Sequence, residues 1–375
     1  MTARALAGPI PLVDLSLQHE QVRDEIEEGF ARVIATSAFI DGPDVEAFER
    51  EFAAYCGGGA CVGVANGTDA LELLLRSEGL DDGSEVVLPA NTFVATAEAV
   101  VRAGLRPVLV DCDEYHLLDA AQLRGALTPR TGAVVAVHLY GQQADLAAVS
   151  AALAGRPVAV FEDAAQAHGS LRCGQGIAHG PGSSGAATSF YPGKNLGAFG
   201  DGGAVVTTDG ARAERVRLLR NHGSPSKYVH TVLGFNSRLD TLQAVVLRAK
   251  LRHLAAWNDE RRRTARLYDE LLAGVDGVEL PRTLPGNDHV WHLYVVQVDD
   301  RDAVLEELGR RGVRAGVHYP TPVHLQPAFA SLGYRRGDFP VSERAAGRIL
   351  SLPMYPGMTE EQVRAVVDAL AAATT

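Results

Sequence analysis

Short β-branched runs at 85–88, 107–110, 133–139, 157–161, 186–190 and 204–208 alternate with amphipathic stretches along this chain. Apolar runs separated by helical segments predict an α/β domain around a mostly parallel sheet. Another apolar stretch, 61–64, leads into Asn66-Gly67-Thr68-Asp69 and then Leu71, Leu74 and Leu75. Thr68 and Asp69 suit a first helical turn, so a helix is expected here with its free amides facing Asn66 and Gly67. After Asp240 the helical pattern runs from 242 to 272 and stops at Gly274, predicting one long helix that bridges two domains. Its Arg261-Arg262-Arg263 reads as a solvated face rather than a nucleic-acid patch. The remainder predicts a strand at 291–298, a helix at 302–312, a strand at 313–319 and a last helix opened by the capping box Thr359-Glu360-Glu361-Gln362. The expected division is a large domain over 1–250, including the amino-terminal segment, and a smaller C-terminal α/β domain over 251–375.

With 375 residues, 46% hydrophobic and 22% charged, the chain has ample material for a sizeable core. A net charge of -11 argues against nucleic acid or an anionic membrane as partner, so any anionic substrate must be met by a few placed Arg and Lys. Cys56, Cys61, Cys112 and Cys173 form no CxxC pair, which predicts reduced, buried thiols. The apolar run before Pro9 is too short for a secretory signal, and no stretch approaches 18 uninterrupted apolar residues. A cytoplasmic protein is expected.

One constellation changes the picture from fold to chemistry. Lys194 lies in Ser189-Phe190-Tyr191-Pro192-Gly193-Lys194-Asn195, about thirty residues after Glu162-Asp163-Ala164-Ala165-Gln166-Ala167-His168. An amine able to form a Schiff base, paired with a carboxylate at the end of an apolar strand, is what pyridoxal phosphate chemistry requires. Asp163 would keep the pyridine nitrogen protonated, Gln166 would meet the ring oxygen and Phe93 would stack on the ring. Gly67 and Thr68 at a helix start, with Ser189 at a strand end, would receive the phosphate. The glycines around Lys194 (193, 197, 200, 202 and 203) would let a bulky ligand approach the backbone. His168 would either orient Asp163 or a loop carbonyl, or transfer protons. The bland alternatives are helix caps for Thr68 and Asp163, core packing for Phe93 and a turn for Asn236 and Arg238.

Other classes fare worse. Gly193-Lys194 suggests a phosphate loop, but Thr188 stands where glycine is needed and Asn195 where Ser or Thr is needed. His289 with His292, and His318 with His324, have loop and strand spacings and no accompanying ligand cluster, so no metal is expected.

With these motifs in order, the chain resembles the DegT/DnrJ/EryC1/StrS nucleotide-sugar aminotransferases of the fold type I pyridoxal phosphate enzymes. The likeness runs from Ile10-Pro11-Leu12-Val13-Asp14-Leu15 to Leu352-Pro353-Met354-Tyr355-Pro356. It implies a large domain with a mostly parallel seven-stranded sheet, Lys194 as the cofactor's covalent anchor and Asp163 at the pyridine nitrogen. It further implies a homodimer with shared sites, in which Asn236 reaches the phosphate of the partner's cofactor. Arg238, Tyr319 and His324 would line the sugar-nucleotide side. The chain departs from the commoner family pattern at Gly182-Ser183-Ser184, where an acidic residue often follows the glycine, and Lys194 argues against the dehydrating branch that carries His. The expected reaction is amino transfer from L-glutamate to a dTDP-linked keto-deoxyhexose. The segments 236–240 and 319–327 favour a C3 ketone. The alternatives are a 4-keto substrate or a non-catalytic regulator that binds the cofactor.

Overall fold

The computed structural model describes residues 8–374, so most of the amino-terminal run read for a signal lies outside the described residues. Its main sheet contains β1 (Ala60–Val64), β2 (Glu85–Pro89), β3 (Arg106–Val110), β4 (Thr131–Val137), β5 (Ala159–Asp163), β7 (Ser183–Ser189) and β8 (Gly203–Thr207). Their spatial order is β1-β8-β7-β5-β4-β2-β3, and β8 alone runs against its neighbours. The intervening β6 (Leu171–Arg172) leaves this sheet to pair with β10 (Asn287–Asp288). The mostly parallel seven-stranded sheet of a fold type I enzyme is therefore present.

Successive strand side chains point to opposite faces, and both faces are covered. Val62, Val64, Ala187 and Val205 enter one core. There they meet α3 (Gly67–Arg76), α4 (Val94–Arg102), α5 (Ala120–Ala126), α6 (Leu146–Leu153) and α7 (Gly210–Arg220). Their neighbours Cys61, Ala186, Ala204 and Val206 enter a second core with α2 (Pro43–Cys56) and α8 (Thr241–Leu251). Outside these, α1 (Ser16–Thr36) sets Val22 and Ile26 against Val246 and Ala249. Continuous apolar strands follow from this two-sided burial.

The pattern from 242 to 272 folds as two helices, not one: α8 ends at Leu251 and α9 (Leu254–Leu272) begins after Arg252 and His253. Neither Gly nor Pro marks the break, because its cause lies in the packing. Whereas α8 serves the core beneath the main sheet, Ala265, Tyr268 and Leu272 of α9 belong to the core of a second sheet. That sheet has the order β12 (Ile349–Leu352), β11 (Tyr294–Val298), β9 (Val278–Glu279). It is covered by α10 (Arg301–Arg310) and α12 (Glu360–Thr374), while α11 (Pro340–Arg348) sends Ala345 to the larger core. The expected capping box forms at the entry to α12, with Thr359 N to Gln362 Oε1 at 2.9 Å and Gln362 N to Thr359 Oγ1 at 3.2 Å.

Residues 313–319 do not form the expected strand. They pair only at Val313, with Ile10, and at Gly316, with Ser351, because Ile349–Leu352 occupies the place beside β11. The expectation for Arg261 also fails. Its side chain is buried and donates to the carbonyls of Met354 (3.0 Å) and Trp291 (3.2 Å), and burial lowers it to about 10. A guanidinium has enough donors to serve several carbonyls at once. Arg263 is exposed, and Arg262 pairs with Asp259 and Asp288. All four cysteines are free, and Cys173 is exposed where a buried thiol was expected. Among the described residues no helix is long and apolar enough to cross a membrane.

Candidate active site

Strand ends assemble the site. The carboxyl end of β5 is Asp163 and that of β7 is Ser189, from which the chain turns to Lys194; β1 runs out into Asn66 and Gly67. Open α/β sheets bind ligands at this edge. A cavity of about 540 Å³ lies there, bordered by Gly67, Thr68, Phe93, Asp163, Gln166, Ser189, Lys194 and Tyr319. Asn236 and Arg238 border a separate cavity of about 340 Å³, and Asp201 borders both. His168 and His324 border neither.

In the first corner, Asn66 caps α3 by accepting from Asp69 N at 2.8 Å. The amides of Gly67 and Thr68 precede the first intrahelical bond, Ala70 N to Asn66 O, and so head a helix start suited to an anion. Gly67 is required for close approach, because a Cβ there would lie 2.5 Å from the Cβ of Ser189. Likewise a Cβ on Gly203 would lie 2.4 Å from the carbonyl carbon of Asn66. The expectation that the glycines after Lys194 clear room for a ligand is thereby corrected at Gly203 and at Gly197. At Gly197 a Cβ would stand 2.2 Å from Pro192 O, so Gly197 and Gly203 let backbone meet backbone, while Gly200 faces the side chain of Gln243 and Gly202 those of Leu239 and Phe190.

At the opposite corner, the Lys194 amine is pushed down to about 8 by burial, against the attraction of Asp163. His318 is lowered to about 4 and His292 well below its usual value, in each case by burial first and the Lys194 charge second. Both imidazoles are neutral at pH 7. Asp163 Oδ2 accepts from Thr96 Oγ1 at 2.7 Å and Oδ1 from Ala165 N at 3.2 Å. Gln166 Oε1 accepts from Tyr140 N (2.7 Å), which turns its amide so that Nε2 donates to Tyr319 Oη (3.1 Å). Phe93 is 49% exposed, with its ring 5.0 Å from that of Tyr319, so it is not a core residue.

A planar phosphorylated pyridine aldehyde fits this set. The amide and hydroxyl corner suits its phosphate, Asp163 its nitrogen, Gln166 its ring oxygen, Phe93 its face and Lys194 its aldehyde.

Two expected site residues sit elsewhere. His168 is fully buried with Nε2 2.9 Å from Thr188 Oγ1 and its ring against Phe190, and burial lowers it to about 3. It does not touch the Asp163 carboxylate, whose partners are Thr96 and Ala165. Similarly, His324 is buried, bonded to Glu343 at 3.0 Å and edge-on to Phe339. Sequence reasoning missed Thr92, Thr96, His292 and His318. The spacing of Thr92 and Thr96 across one helical turn was a usable signal. Nothing local pointed to His292, which is held by Asn195: that amide donates Nδ2 to Asn258 Oδ1 and Val290 O and accepts from His292 Nδ1 at 3.1 Å.

The model of the DegT/DnrJ/EryC1/StrS aminotransferase family matches residues 20–371. The chain is 50% identical to the erythromycin biosynthesis sensory transduction protein EryC1 of Saccharopolyspora erythraea, over 97% of this chain and 99% of that one. It is 46% identical to the dTDP-3-amino-3,4,6-trideoxy-α-D-glucose transaminase of Streptomyces venezuelae, over 99% and 97%. The crystal structure of S. venezuelae DesV in complex with a ketimine intermediate superposes with a TM-score of 0.95, covering 98% of each chain at 46% identity.

Proposed function

Because the chain belongs to the DegT/DnrJ/EryC1/StrS aminotransferase family, we propose that it transfers the amino group of L-glutamate to C3 of a dTDP-linked 3-keto deoxyhexose. It is a pyridoxal phosphate-dependent sugar aminotransferase acting on keto intermediates of nucleotide sugars. The observation that carries the reading is one cavity with Lys194 and Asp163 on its wall and the Gly67, Thr68 and Ser189 corner beside them. The dTDP-3-amino sugar transaminases among the relatives support dTDP and C3, and UDP-linked 3-aminotransferases among them support C3 as well.

When bound, pyridoxal phosphate supplies an aldehyde to carry the amino group and a ring to withdraw electrons from the carbon beside it. In this reading Lys194 would hold its aldehyde and move the proton at the donor's α-carbon; an amine near 8 keeps a useful fraction as free base close to neutral pH. Asp163 would face the ring nitrogen, Gln166 would offer its second Nε2 hydrogen to the ring oxygen, and Phe93 would lie against the ring. The Gly67 and Thr68 amides and the Ser189 hydroxyl hold the phosphate. Asn236 reaches the phosphate in the partner of a homodimer, and Arg238 and Tyr319 border the nucleotide sugar. His168 and His324 are left out, since both are buried away from the cavity. The division near residue 250 belongs to the same reading, supported by Ala265, Tyr268 and Leu272 of α9 serving the second sheet's core while α8 serves the first. Four free thiols support a reducing, cytoplasmic setting.

The test is product analysis. The loaded enzyme is incubated with glutamate and either the 3-keto or the 4-keto dTDP-6-deoxyhexose, and products are assigned by mass spectrometry and NMR. Amination at C3 is expected; amination only at C4 rejects the regiochemistry, and no amination of either sugar rejects the substrate class.

A further inference from the structure

Two threonines at the entry to α4 have no part in the reading above. Thr92 borders the cavity, and Thr96, one turn on, is fully buried. Their hydroxyl oxygens lie 2.7 Å apart, and Thr96 Oγ1 donates to Asp163 Oδ2, also at 2.7 Å. A hydroxyl carries a single proton. With that of Thr96 spent on the carboxylate, Thr92 must donate to Thr96, so the chain runs one way: Thr92 to Thr96 to Asp163. The other carboxylate oxygen is held by Ala165 N at 3.2 Å, from the turn after β5. Donors from two different elements thus grip the carboxylate on both oxygens.

The ionisable groups that register this carboxylate's charge are Lys194 and Tyr319. A carboxylate free to rotate would be drawn toward the Lys194 amine, where an ion pair would occupy both groups the chemistry needs apart. Among the described residues no ion pair joins them.

We infer that Thr96, backed by Thr92, is a positioning residue that aims the Asp163 carboxylate at the cofactor's ring nitrogen and keeps it from pairing with Lys194. The inference rests on the pyridoxal phosphate reading. Thr96→Val keeps the shape and deletes the donor, whereas Thr96→Ser keeps the donor.

Cofactor-free protein is titrated with pyridoxal phosphate by absorbance, and the ring nitrogen of 15N-labelled cofactor is followed by NMR. Thr96→Val is expected to bind roughly tenfold more weakly, the scale of one hydrogen bond to a charged group. Its ring-nitrogen resonance should move toward the unprotonated position. In turnover, kcat should fall while the KM for glutamate stays within about twofold. Thr96→Ser is expected to bind within about twofold of the parent, and Thr92→Val to lose about threefold, since it removes only the outer link. Unchanged affinity and resonance in Thr96→Val overturns the inference, as does a Thr96→Ser variant equally impaired, which would make the methyl group the cause. If circular dichroism shows Thr96→Val unfolded, Thr92→Val decides by the same two readouts. A parent protein that does not bind pyridoxal phosphate rejects the functional reading and this inference together. A parent that binds, with indifferent variants, rejects this inference alone.

Discussion

At the scale of single residues, the cavity is built by desolvating one amine. Lys194 sits at about 8 in the fold against an ordinary 10.5, because burial disfavours its charge. Between those values the unfolded chain binds more protons than the folded one, so this group's contribution to stability rises with pH across the window. Its penalty is complete below about 8 and is gone above about 10.5. Lys194→Met, of similar volume and without charge, is therefore predicted to stabilise the cofactor-free protein at pH 7 by up to about 3 kcal/mol. The gain should shrink toward zero by pH 10.5, while turnover is abolished. Denaturant unfolding at pH 7, 9 and 10.5 checks this, and a gain independent of pH contradicts it. His168 teaches the complementary lesson. Its place beside Asp163 in sequence made it a candidate, yet Thr188 and Phe190 claim it for the core.

Elements place these residues by their ends. β5, β7 and β1 stop at one edge, and α3 starts there with its cap supplied by Asn66. Gly67 packs against Ser189 with no room for a side chain, so Gly67→Ala puts a methyl group into occupied space. Overpacking of this kind costs about 1–3 kcal/mol. Gly67→Ala is predicted to lower the melting temperature and to weaken pyridoxal phosphate binding roughly tenfold or more, read by thermal unfolding and absorbance titration. Full affinity with the variant folded would show that α3 and Ser189 do not share the phosphate. Strand positions and the α12 capping box were readable because continuous apolar runs and cap chemistry are local. The break between α8 and α9 was not, because after Leu254 and Trp257, which still pack with α8, α9 turns to the core of the second sheet.

The whole molecule leaves Leu233 96% and Tyr228 84% exposed, with Val229 and Val232 near them and Asn236 just beyond. Apolar side chains gathered on a surface mark an interaction face, and the proposed homodimer with shared sites predicts a complementation result. Lys194→Ala and Asn236→Ala homodimers should each be impaired at both sites. A mixed dimer, made by co-expression with two tags, would carry both defects at one site and none at the other. It should recover about half the parent activity, since one of two sites is whole. No recovery means each protomer builds its site alone. The order of apolar runs and amphipathic stretches by itself determined the α/β class and the approximate strands, since each depends on neighbours in the chain, and the residue types in the two motifs nominated Lys194 and Asp163 as candidates. Only the tertiary structure decided that Thr96 grips Asp163, that Asn195 holds His292, that Arg261 is buried and that His168 and His324 are core residues. These depend on which elements meet, and hydrogen bonds between residues 67 and 97 positions apart leave no local trace in the order of the chain.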